Sequence, residues 1–315
     1  MGKIALLFPG QGSQQVGMGK ELFDLYEQTK NIYNEADDVL GESLSSLIFS
    51  GDEEELKKTE NTQPALLTTS ISIWEVLKSK GVNPDYAAGH SLGEYSALVA
   101  AGAMSFQDAC VAVRKRGQWM EQAVPKGKGT MAAVLGMKRD ELTELTIEAT
   151  KASNIVEPAN FNCPGQIVIS GTVEGVQAAT ELAKEKGAKR VIPLSVSGPF
   201  HSSLMKPAAE KMKEHLDSIQ IHAPQIQVVA NVTADVVKDS EMIRQLLFEQ
   251  IYSPVLWEDT LHRLVNDGVD TFIEVGPGKV LSGLVKKVSR RATVLPVFDQ
   301  ETLEKALTTL GGDDS

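Results

Sequence analysis

The run Gly89-His90-Ser91-Leu92-Gly93 sets a serine between glycines two residues to either side. In a sharp strand-to-helix turn, G-x-S-x-G leaves no room for Cβ atoms at the flanking positions and pushes the serine Oγ out above a sheet as a nucleophile. The same turn aims the N–H of the following residue, Leu92, at a developing oxyanion. A short strand expected over 86–89 and an Ala-rich helix expected over 92–101 supply that context. The alternative is a helix N-cap serine between two turn glycines.

A nucleophilic serine needs a base, and His201 stands in Gly198-Pro199-Phe200-His201-Ser202, between an expected strand end and a helix N-terminus. The partial positive charge there favours the neutral imidazole that a general base requires. A structural or exposed histidine is the competing reading, since the chain has five. His90 points elsewhere if the turn forms, and His215, His222 and His262 fall in polar helical or loop surroundings.

Arg116 is the most informative charge. Ala109, Ala112, Val113, Arg116 and Met120 recur at the spacing of one buried helix stripe, whereas Arg114 and Lys115 fall off it. A guanidinium among core-facing positions needs an anion. Two readings stay open: an internal salt bridge to a protein carboxylate, or a fork that takes a substrate carboxylate in two parallel hydrogen bonds.

Pro9-Gly10-Gln11-Gly12-Ser13-Gln14 follows the first expected strand, where ligand loops of parallel sheets lie. A dinucleotide fingerprint would need a glycine where Gln15 stands, and a Walker loop from Gly12 would need Lys-Ser/Thr where Met18-Gly19 stands. What remains is a tight loop with main-chain N–H groups facing the site, or a plain turn. Lys286, Lys287, Arg290 and Arg291 form a basic cluster on an acidic chain. It reads as a solvated helix end, or as a dock for an acidic carrier or a coenzyme phosphate.

The elements that must position these residues alternate between strand and helix. A continuous apolar run over 4–8 reads as a fully buried strand, followed by helices over 19–40 and 62–80. Ser105-Phe106-Gln107-Asp108 opens a helix running to about 124, with a capping-box pattern. Pro125, Gly127 and Gly129 mark a boundary. Strand 130–135, helix 139–150, strands 155–162 and 166–170, helix 173–186 and strand 189–196 then give the β-α-β-β-α-β order of a ferredoxin-like unit. Helix 202–219, strand 226–231, helices 240–251 and 256–267, and strand 271–275 return to the first pattern. Gly276-Pro277-Gly278, a last core helix and a strand over 293–296 follow. The expected architecture is α/β, with a mostly parallel sheet in a large subdomain (1–126 and 198–315) and a small ferredoxin-like subdomain (127–197) inserted in it.

With 315 residues, 42% apolar and 23% charged, the chain has globular composition. Its formal charge, 31 − 42 = −11, argues against general nucleic-acid binding. Cys110 and Cys163 provide neither a disulfide framework nor metal-ligand spacing. The N-terminal apolar run is too short for a signal core, and no run approaches the ~20 residues of a membrane span. A cytoplasmic protein without metal or membrane attachment is the expectation.

Taken together, these motifs resemble the malonyl-CoA:acyl carrier protein transacylases. The resemblance is carried by F-P-G-Q-G-S-Q (8–14), T-Q-P-A (62–65), G-H-S-L-G (89–93) and R-K-R-G (114–117). It continues through N-x-x-C-P-G-Q-I-V-I-S-G (160–171), G-P-F-H-S (198–202), Asn231-Val232-Thr233 and E-V-G-P-G (274–278). It implies an α/β-hydrolase-like large subdomain with a ferredoxin-like insertion. It also implies Ser91 as nucleophile, His201 as base, and a main-chain carbonyl at Gln250 in place of a triad acid. Gln11 and Leu92 would supply oxyanion N–H groups, Arg116 would hold a malonyl carboxylate, and Gln63 and Asn231 would line the substrate site. Phe200 resembles the malonyl-selective branch rather than the methylmalonyl one. The implied reaction is two-step malonyl transfer from coenzyme A to the phosphopantetheine thiol of acyl carrier protein, by a monomer without a cofactor. Two rivals stand beside it. A serine esterase would place an acid at a strand end between Ser91 and His201, where none is expected. A non-catalytic carrier-docking module would form no covalent adduct.

Overall fold

A computed structural model describes residues 2–311. Nine strands form among them: β1 (Lys3–Phe8), β2 (Tyr86–Gly89), β3 (Gly129–Leu135), β4 (Val156–Cys163), β5 (Gln166–Thr172), β6 (Arg190–Pro193), β7 (Gln227–Val229), β8 (Val269–Val275) and β9 (Thr293–Val297). The large sheet runs in the order β7-β2-β1-β8-β9, and every pairing in it is parallel.

The unbroken apolar run of β1 is explained by its central place in that sheet. Successive side chains of a strand leave on opposite faces. Leu6 and Phe8 therefore join one core, and Ala5 and Leu7 join another on the far side. All four are fully buried, so neither face tolerates a polar residue.

The small sheet is antiparallel, in the order β4-β5-β3-β6. Helices Arg139–Ala152 and Val173–Glu185 pack on one face, where Ala132, Val134, Ile167 and Ile169 meet them. The opposite face, through Met131, Ala133, Ala159 and Val168, merges into the large core. This is the α/β arrangement expected from the sequence, with one mostly parallel and one small antiparallel sheet.

Several boundaries depart from the sequence pattern, each with a local cause. The helix expected over 19–40 is two helices, Lys20–Leu25 and Glu27–Leu40, hinged at Tyr26 with φ −124° and ψ 128°. The Thr29 hydroxyl donates to the carbonyls of Leu22 and Tyr26 at 2.9 and 2.6 Å, competing with the helical ladder there. The strand expected over 189–196 stops at Pro193, which has no N–H to continue a ladder. Beyond it the chain runs irregularly, tied by the Leu194 N–H to Met131 O at 3.0 Å. Helices Leu44–Ser50, Glu53–Lys57 and Gln300–Thr309 appear where no periodicity announced them, the last two capped by the Asp52 and Asp299 side chains.

Candidate active site

The elbow forms as its glycines dictate. Ser91 has φ 52°, in the left-handed region that side chains other than glycine rarely adopt. A Cβ on Gly89 would lie 1.9 Å from the Gly93 carbonyl carbon, and one on Gly93 would lie 2.1 Å from Phe8 O. No rotamer relieves a collision with main chain, so both positions must be glycine. Asn231 fastens the turn from behind, accepting from the Ser91 N–H at 2.7 Å and donating to Gly89 O at 2.7 Å.

Ser91 Oγ lies 2.7 Å from His201 Nε2. His201 Nδ1 lies 2.8 Å from the main-chain carbonyl of Gln250. A carbonyl can only accept, so Nδ1 carries the proton and Nε2 keeps the lone pair that faces the serine. His201 also has a left-handed backbone, φ 57°, and is 4% exposed. Burial, reinforced by the Arg116 charge, pushes its pKa down to about 3, so the imidazole is neutral at physiological pH.

Arg116 rises from helix Phe106–Gln122, which Ser105 caps by accepting from the Asp108 N–H. Gly117 lets this helix close on Thr59–Ser79, since a Cβ there would meet Thr59 O and Glu60 Cα at 2.7 Å. The guanidinium is 1% exposed and donates to Gln63 Oε1 at 2.8 Å, Gln250 Oε1 at 2.8 Å and Ser91 Oγ at 3.1 Å. Its Nε–H has no acceptor among the described residues. All three acceptors are neutral, so among the described residues no carboxylate pairs with this cation directly.

A cleft open to solvent lies above these groups. The loop after β1 and the elbow contribute Gln11, Ser91 and Leu92 to its lining, the antiparallel sheet and its exit segment contribute Met131, Asn160, Leu194 and Val196, and Gln63, Arg116 and His201 line it as well. The main-chain N–H groups of Gln11 and Leu92 take no protein acceptor among the described residues. They remain as donors beside the serine.

The structure thus brings Ser91, His201, Arg116, Gln11, Leu92 and Gln63 around one cleft. Asn231 and Gln250 do not line it. Asn231 is fully buried behind the elbow, with its amide engaged by main chain. That geometry departs from the substrate contact expected of it. Gln250 contributes more than the carbonyl, because its side chain also bridges Arg116, Ser91 O and Glu94. Glu94 escaped the sequence reading: it is 2% exposed and accepts from Gln250 Nε2 at 2.7 Å and the Asn231 N–H at 3.1 Å. Its place directly after the elbow, in a short helix buried on most sides, was the available signal. His90 turns its ring to Asn162, at 2.9 Å. In the basic cluster, Lys286 Nζ donates to Ala292 O at 2.6 Å, whereas Lys287, Arg290 and Arg291 stay exposed.

A family profile described as acyl transferase domain matches residues 5–311. A Bacillus subtilis (strain 168) protein named malonyl CoA-acyl carrier protein transacylase is 60% identical over 310 residues, covering 98% of this chain and 98% of that protein. The chain belongs to the malonyl CoA-acyl carrier protein transacylase family. Solved structures of transacylases agree. An acyl carrier protein S-malonyltransferase from Vibrio cholerae superposes with TM-score 0.94 at 44% identity, over 96% of this chain and 99% of that one. A malonyl-transacylase in complex with its type II PKS acyl-carrier protein gives TM-score 0.95 at 44% identity, over 98% and 99%. Among the described residues of this transacylase-family chain, no helix is long and apolar enough to cross a membrane.

Proposed function

We propose that the chain transfers a malonyl group from malonyl-CoA to the phosphopantetheine thiol of acyl carrier protein, through an ester on Ser91. The observation that carries this reading is Arg116. It is a buried cation without a direct carboxylate partner among the described residues, 3.1 Å from the nucleophilic Oγ, with donor capacity left over. A fixed positive fork beside a nucleophile selects acyl groups that end in a carboxylate.

In the first half-reaction Ser91 Oγ attacks the thioester carbonyl carbon while His201 Nε2 takes the hydroxyl proton. The N–H groups of Gln11 and Leu92 receive the oxyanion. The C–S bond breaks, His201 returns the proton to the departing coenzyme A thiolate, and a malonyl-serine ester remains. In the second, the carrier's thiol sulfur attacks that ester and His201 takes the thiol proton. The C–O bond breaks and the proton returns to Oγ. The Gln250 carbonyl stands where a triad acid would, holding the imidazole tautomer without adding a negative charge. The steps as written use only side chains and main-chain N–H groups, with no cofactor.

In this reading Gln63 shares the grip on Arg116, and Asn231 fixes the elbow rather than the substrate. The small subdomain spans 127–197 and lines part of the cleft. The protein acts as a cytoplasmic monomer, with acyl carrier protein as its partner, in line with the carrier complex of the relative. Exposed Lys287, Arg290 and Arg291 are candidates for meeting an acidic carrier.

Intact mass after brief exposure to malonyl-CoA tests the covalent step. The parent should gain one malonyl group, and Ser91→Ala should gain none and lose transfer by ~10⁴–10⁶-fold. An adduct that persists in Ser91→Ala would end this assignment.

A further inference from the structure

A closed circuit of hydrogen bonds runs behind the nucleophile. It leaves Ser91 Oγ through Arg116 Nη2 to Gln250 Oε1, at 3.1 and 2.8 Å. Gln250 Nε2 carries it to Glu94 Oε2 at 2.7 Å, and the Asn231 N–H meets the same oxygen at 3.1 Å. Asn231 Oδ1 then returns it to the Ser91 N–H at 2.7 Å. The circuit holds one cation, Arg116, and one anionic group, Glu94. The transfer steps make no use of Glu94, which has no hydrogen bond to His201 or to Ser91 Oγ among the described residues.

We propose that Glu94 is the proton-accepting counter-charge of the acyl-anion site: when an acyl group seats its free carboxylate on Arg116, the Glu94 carboxylate takes up a proton from solvent. This deepens the reading of Arg116 as a carboxylate clamp and rests on it. In the resting protein the arginine and the glutamate balance. A second carboxylate would leave the buried cluster with net charge −1, and an uncompensated charge out of water is costly. Protonating Glu94 restores neutrality without moving a side chain.

The surroundings of Glu94 favour this. Burial already raises its carboxyl pKa to about 7, against the lowering pull of the Gln250 and Asn231 donors and the Arg116 charge. Neutralising that charge with a bound carboxylate removes one of the forces holding the proton off. The charged or titratable groups facing Glu94 are few. Among the described residues they are Arg116 from helix Phe106–Gln122 and Tyr95 on its own helix, with a phenol held protonated by burial, while His201, which Arg116 also influences, is held neutral. Gln250 and Asn231, which contact it directly, carry no charge. Glu94 is therefore the group in this cluster whose charge can change near neutral pH.

Calorimetric titration of Ser91→Ala with malonyl-CoA, run at pH 7.5 in two buffers of different protonation enthalpy, counts the protons taken up on binding. The expected uptake is about half a proton or more for malonyl-CoA, and close to none for acetyl-CoA. Adding Glu94→Gln should abolish the malonyl-linked uptake. Uptake that persists in the double variant, or is equal for both thioesters, overturns the proposal. A clear malonyl preference with no proton uptake overturns it too, leaving the clamp standing. Equal affinity for the two thioesters sinks the clamp reading of Arg116 itself. In protein with Ser91 intact, the ratio of malonyl to acetyl loading should fall above pH 7, with a limiting slope of ~10-fold per pH unit. Glu94→Gln should flatten that slope, and an unchanged slope in the variant refutes the role.

Discussion

Arg116→Ala separates acyl selection from everything else the arginine does. The guanidinium has five N–H groups, and three hydrogen bonds occupy it in the resting site, to Gln63, Gln250 and Ser91. Two N–H groups remain, including the buried Nε–H. Each hydrogen bond to a carboxylate contributes roughly 1.5–3 kcal/mol, so two amount to ~3–6 kcal/mol for a malonyl group. An acetyl group collects none of this. The truncation also leaves Gln63 and Gln250 without their donor and opens a void, but both acyl groups bear that loss and it cancels in their ratio. At ~1.4 kcal/mol per tenfold change, the ratio of malonyl to acetyl loading should fall ~10²–10⁴-fold. The assay is the rate of acyl-enzyme formation from malonyl-CoA and acetyl-CoA, followed by intact mass. Equal losses for the two substrates would refute the clamp and leave Arg116 as a purely structural donor.

Other expectations follow from the same geometry. With the His201 pKa pushed down to about 3, the base form persists as pH falls, so acyl loading should stay flat from pH 7 to pH 5. A limb with a midpoint near 6.5 would contradict that, and Arg116→Ala, which removes one cause of the depression, should move the limb upward. Asn231→Ala should slow malonyl and acetyl loading alike, since its amide holds the elbow main chain at both ends; a selective loss for malonyl would restore it to the substrate site. Gly89→Ala should lower stability by ~4 kcal/mol or more because the new Cβ meets main chain. Gly283→Ala, on an exposed helix face with open space, should raise it by ~0.5–1 kcal/mol. Thermal unfolding distinguishes these two, and similar shifts would mean that the packing around the elbow is misjudged.

The parts of the site legible in the sequence are those that obey a local rule. Gly89 and Gly93 flank Ser91 because the elbow backbone excludes side chains, a constraint written within five residues. Arg116 betrays itself by sharing a helix stripe with Ala109, Val113 and Met120, all of which prove buried. Glu94 obeys no such rule. Its helix, Gly93–Ala100, buries six successive residues from Gly93 to Leu98, so no polar face stands out and a buried acid looks like an ordinary helical glutamate. The Gln250 side chain was equally hidden, since its partners lie on three other segments, at Ser91, Glu94 and Arg116. Among the elements, β1 and the capped helix after Ser105 followed from composition and capping. The break at Tyr26 came from hydroxyl bonds that no periodicity reveals.

The reactive groups and part of the lining of the cleft stand on different sheets that share one apolar core. Ser91 and Leu92 stand on the parallel sheet, while Met131, Asn160, Leu194 and Val196 come from the antiparallel one or its exit segment. The antiparallel layer is braced from behind by its own two helices and their private apolar cluster. Met131 on that layer belongs to the same core as Leu92 and Met120, beside the serine and the guanidinium, so repacking it is felt on both sides of the cleft.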